Sequence, residues 1–108
     1  MSQIIVIDIY SVVPDLQKTG SKLTGVPVKD LVSWVKAAQD QGHTIYFVCG
    51  AAHDAYMRQM LERYLEGIGI RAVFVTHGVP DGFNWFVSKY AFPFDGKHFP
   101  TLITGSQA

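Results

Sequence analysis

Residues 4–10 read IIVIDIY, an almost unbroken apolar run interrupted only by Asp8. A strand with one wet face would alternate apolar and polar side chains. This run does not alternate, so it reads as a strand buried on both faces, as in a parallel sheet. Parallel strands need long crossovers, usually through helices. The segment therefore commits the chain to an α/β architecture before any other element is considered. It also places a carboxylate at a strand end, where ligands gather in such sheets.

The rest of the chain supplies the crossovers. Residues 11–27 carry Pro14, Gly20 and Gly25 among polar residues and read as a loop or flap. Residues 28–41 form a helix with Leu31, Val35 and Ala38 on one face, Trp34 beside them, and Gly42 as a stop. A second strand covers 44–49. In DAYMRQMLERYLEGIG, Asp54 can cap a helix whose apolar stripe is Met57, Leu61, Tyr64, Leu65 and Ile68. Residues 71–76 read as the third strand and 101–104 as the fourth. Between these two lies an aromatic-rich segment, 83–99, which starts as a helix near Asn84 and turns at Asp95-Gly96. The expectation is one domain, 1–108, with a three-layer Rossmann-like fold and a mainly parallel sheet of about four strands. Asp8 to Tyr10, Cys49 and Gly50, Thr76 and His77, and Thr104 and Gly105 would then share one edge.

Composition narrows the function classes. Nine Lys and Arg residues balance nine Asp and Glu residues, and they form no run. Zero net charge gives no footprint for nucleic acid or an anionic membrane. No stretch is long and apolar enough to span a bilayer, and the N-terminus shows no basic leader. The single cysteine, Cys49, excludes an internal disulfide and suggests a cytoplasmic setting. His43, His53, His77 and His98 show no metal-ligand spacing, so no metal site is expected.

Asp8, Cys49 with Gly50, and Lys89 fall in order at or near strand ends. In that order and spacing the chain resembles the haloacid dehalogenase-like (HAD) superfamily of phosphotransferases across almost its whole length. The resemblance implies a nucleophilic Asp at Asp8 and a general acid/base two residues later, at Tyr10. It implies phosphoryl contacts at Cys49 or Gly50 and a charge-neutralising lysine at Lys89. It also implies acids after the last strand to hold magnesium, where this sequence reads Thr104-Gly105-Ser106-Gln107. A phenol is a poor acid/base near neutral pH. A thiol is a weak donor to phosphate. Magnesium takes its protein ligands from carboxylates, and one carboxylate cannot be both nucleophile and metal site. Asp81 and Asp95 sit beside glycine and read as turn residues.

The expectation is therefore a catalytically degenerate HAD-like domain with no cofactor, acting through a protein partner or self-association. Trp85, Tyr90, Phe92 and Phe94 are the candidate contact residues, because rings concentrate there beyond what a small interior needs. One rival is an atypical phosphatase using Asp8 and magnesium. Another is a small Rossmann-like module binding a nucleotide or other anion, although no glycine-rich fingerprint follows the first strand.

Overall fold

The computed structural model describes residues 2–87 and 101–104, and the side chains of 101–103 fall outside that description. The first strand, β1 (Ile4–Asp8), ends two residues earlier than the apolar run. A single helical turn, α1 (Ile9–Val12), follows at once and buries Ile9 and Val12. The flap contains an antiparallel hairpin, β2 (Gln17–Thr19) and β3 (Lys22–Thr24). Then come α2 (Lys29–Asp40), β4 (Thr44–Val48), a 3-10 turn at Gly50–His53 and α3 (Ala55–Gly67). The last strands are β5 (Phe83–Val87) and β6 (Thr101–Thr104).

The main sheet has the order β4-β1-β5-β6. β1 is parallel to both of its neighbours, and β6 runs antiparallel to β5. Three parallel strands with helical crossovers make this an α/β fold. β1 is central among them, which explains why Ile5, Val6 and Ile7 are all buried.

Three expectations change. Residues 83–87 form a strand and not the start of a helix. Phe83 pairs with Ile4 and Trp85 with Val6, and the strand-favouring Phe83, Trp85, Phe86 and Val87 suit that pairing to the central strand. Residues 71–76 make only one bridge, Phe74 with Phe47, and form no full strand. The layers also differ. Ile5, Ile7, Ile45, Phe47, Phe74 and Phe86 share one core with Leu31, Val35, Leu61 and Leu65, so α2 and α3 cover the same sheet face. On the opposite face Val6, Val79 and Phe83 form a small cluster edged by Ile4, Tyr46, Val48 and Val75. Among the described residues no helix covers that face, because the connection from Thr76 to Phe83 is a short non-helical loop. The described residues thus build two layers where three were expected.

The hairpin is latched to α3. The Tyr64 hydroxyl donates to the Gly25 carbonyl at 3.1 Å. Gly25 has φ +148°, and a Cβ there would lie 2.7 Å from Val13 Cγ1, so the close approach requires glycine. Burial, and then the nearby Asp15 carboxylate, raise the Tyr64 pKa above the usual tyrosine value. Only the neutral phenol donates this bond. Its contribution is therefore complete below the usual tyrosine pKa and is lost as pH rises through the raised one.

Candidate functional site

The carboxyl end of β1 lies between two parallel neighbours, β4 on one side and β5 on the other. This is the switch point of the sheet, where α/β folds open a crevice. Asp8 stands there, in register with Val48 at the end of β4. Its side chain is exposed and its Oδ1 accepts from the Tyr10 N–H at 2.9 Å. The carboxylate thereby caps α1. Asp8 takes this role because the chain turns into a helix straight after it. Lys89 lies outside the described residues.

Tyr10 is about half exposed, at 49%. Cys49 is buried within the helix-side core, and its free thiol faces apolar neighbours. That leaves the main chain, not the sulfur, as the means by which the Cys49-Gly50 corner can meet an anion. Gly50 is exposed and opens the 3-10 turn. Asp54 caps α3 by accepting from the N–H groups of Tyr56 at 2.8 Å and Met57 at 3.3 Å.

The acids fare differently from the sequence expectation. Thr104 pairs with Asn84 near the start of β5, because β6 is antiparallel. Asn84 in turn pairs with Ile5. Thr104 is therefore at the opposite end of the sheet from Asp8, and so is Asp81, which precedes β5. Neither the end of β6 nor Asp81 shares an edge with Asp8. Among the described residues, no group of three His, Cys, Asp or Glu side chains gathers in a way that could hold a metal ion.

Of the candidate contact residues, Trp85 is exposed, at 44%, and packs edge-on against Phe83 with centroids 5.2 Å apart. Tyr90, Phe92 and Phe94 lie outside the described residues. Trp85 is accompanied by exposed Val87 on its own strand. Strand alternation and register put Trp85 and Val87 on the face away from α2 and α3.

Sequence reading missed two features. Gln39 is buried and clamps the main chain of Arg71, with Nε2 donating to the carbonyl at 2.8 Å and Oε1 accepting from the N–H at 3.0 Å. The signal was present: Gln39 lies four residues after Val35, on the apolar stripe of α2. The second is a polar cleft of about 530 Å³ between α3 and residues 72–77, which includes His53, Arg58 and His77. No linear spacing foreshadows it, because it joins a helix to a distant edge.

No helix among the described residues is long and apolar enough to cross a membrane. Compared with protein-family models, with curated proteins and with solved structures, the chain matches none.

The cap gives a first test. Asp8→Asn keeps an oxygen that can accept from Tyr10 N–H, so it is expected to change stability by less than about 0.5 kcal/mol, whereas Asp8→Ala is expected to cost about 1 kcal/mol. Urea unfolding of both variants measures this. A large loss in Asp8→Asn would show that a partner depends on the negative charge.

Proposed function

We propose that the chain is a HAD-like domain that has exchanged catalysis for binding, and that it self-associates through the sheet face carrying Trp85. The observation that carries the reading is the exposed pair Trp85 and Val87 on the side of the sheet opposite the helices. Exposed apolar side chains grouped on a small domain mark interaction sites, and tryptophan is a frequent hot spot. The balance of nine basic and nine acidic residues leaves no net charge to repel a second copy.

The site chemistry supports the non-catalytic half of the proposal. Asp8 is engaged as a cap, and Tyr10 stands where the family places its acid/base. The resemblance implies acids for magnesium after the last strand, and the sequence there reads Thr104-Gly105-Ser106-Gln107. A carboxylate without a metal or a second acid approaches a phosphate dianion against electrostatic repulsion. The central position of β1 and the Asp8 strand end support the HAD-like reading itself.

The expected result is a mass by sedimentation that rises with concentration, and an association weakened on the order of tenfold or more in Trp85→Ala. The fold should remain intact, since Trp85 is outside the main core. A monomeric mass at every concentration would overturn self-association and leave a different protein as the partner to seek. A magnesium-dependent phosphatase turnover that disappears in Asp8→Asn would overturn the loss of catalysis.

A further inference from the structure

Beyond β4 the sheet ends in residues 72–76, joined to it by the single bridge between Phe47 and Phe74. The Phe47 N–H donates to the Val73 carbonyl at 2.7 Å, and the Val75 N–H donates to the Phe47 carbonyl at 2.9 Å. These bonds turn the main-chain groups of Val73 and Val75 toward β4. Successive residues of an extended chain direct their N–H and C=O groups to opposite sides. The main-chain groups of Phe74, with those of Ala72, therefore face outward. None of them has a hydrogen-bonded partner among the described residues.

The polar cleft opens on this same edge. Arg58 and Glu62 of α3 wall it on one side, with His53 before the helix and Thr76 and His77 at the end of the segment. Arg58 is held in position, because its Nη1 donates to the Ala52 carbonyl at 2.9 Å. Its Nε stands 4.0 Å from Glu62 Oε1, too far for a short charge-assisted bond. The guanidinium is partly exposed and keeps donor groups for a ligand. The two imidazoles and the Thr76 hydroxyl add further polar groups. Among the described residues, Glu62 is the only carboxylate lining the cleft.

We propose that this edge binds an extended acidic peptide. The peptide adds as a strand along residues 72–75, and one of its carboxylates meets Arg58. Main-chain bonds to Ala72 and Phe74 hold it, and Arg58 with the imidazoles selects its charge. The site shares no residue with the face around Trp85, so it stands or falls separately from self-association.

The experiment titrates the full chain with a short fluorescein-labelled peptide alternating valine and glutamate. A lysine-for-glutamate version and a version N-methylated at alternate residues serve as controls. The glutamate peptide is expected to bind, and each control to bind at least about tenfold more weakly. Hydrogen exchange on the complex should show new protection at the Ala72 and Phe74 amides. Arg58→Gln should weaken the glutamate peptide by about tenfold and leave the lysine peptide unchanged. Equal binding of all three peptides, or no new protection at Ala72 and Phe74, overturns strand addition. The N-methylated control keeps the test valid even where Arg58→Gln perturbs the fold.

Discussion

Phe47→Ala is expected to lower the unfolding free energy by about 3–5 kcal/mol, a large share of the total stability of a domain this size. Phe47 is fully buried and its ring packs against Phe74 at 5.9 Å between centroids. Its main chain also carries both hydrogen bonds that join residues 73–75 to the sheet. Those bonds survive the substitution, but the aromatic contact beneath them does not. The edge should therefore loosen first, followed by loss of the helix-side core. Urea unfolding followed by far-ultraviolet dichroism measures the cost. A loss below about 1 kcal/mol would mean that the surrounding side chains collapse into the space, which the close packing of a protein interior opposes.

Gln39→Ala is expected to cost about 2–4 kcal/mol, although it removes no apolar contact of consequence. The amide of Gln39 satisfies both the N–H and the carbonyl of Arg71, and the Arg71 guanidinium returns a bond to the Gln39 carbonyl at 2.8 Å. Truncation leaves two main-chain groups without partners where α2 meets the edge segment. Gln39→Glu separates the contributions: it keeps the acceptor for the N–H and replaces the donor with a second acceptor facing the Arg71 carbonyl. It should be about as damaging as alanine. A Gln39→Glu protein as stable as the parent would show that water replaces the lost donor.

These two residues illustrate what the sequence discloses and what it conceals. The doubly buried strand, the stripe of α2 and the Asp54 cap were legible, because each follows from a local period or a local hydrogen bond; on α3 the stripe was right at Leu61 and Leu65, but Met60 and not Met57 is buried beside them. The strand character of 83–87 was missed although Phe83, Trp85, Phe86 and Val87 all favour strands; the segment pairs with the parallel edge of β1. The position of Thr104 was misread for a related reason. Strand direction is a property of the sheet, and an antiparallel return reverses which end a terminal residue occupies. For the candidate site, Asp8 was identifiable as a strand-end carboxylate. Its engagement as the cap of α1 depended on a helical turn that the polar, Pro-containing flap sequence obscured. The cleft beside Arg58 had no linear signature at all.

The division of the core between the two sheet faces carries a consequence for assembly in time. Of the residues that form the helix-side core, every one except Phe86 lies at or before Phe74. A growing chain therefore holds nearly all of that half of the interior before β5 has been made. Domains emerge from synthesis N-terminal end first, and cooperative units open with separate free energies. β1, β4, α2 and α3 should behave as an early unit that offers β1 as a template, and β5 as a late addition to it. Native-state hydrogen exchange is expected to reflect that history, with the amides of β5 opening at lower free energy than those of β4 on the other side of the same central strand.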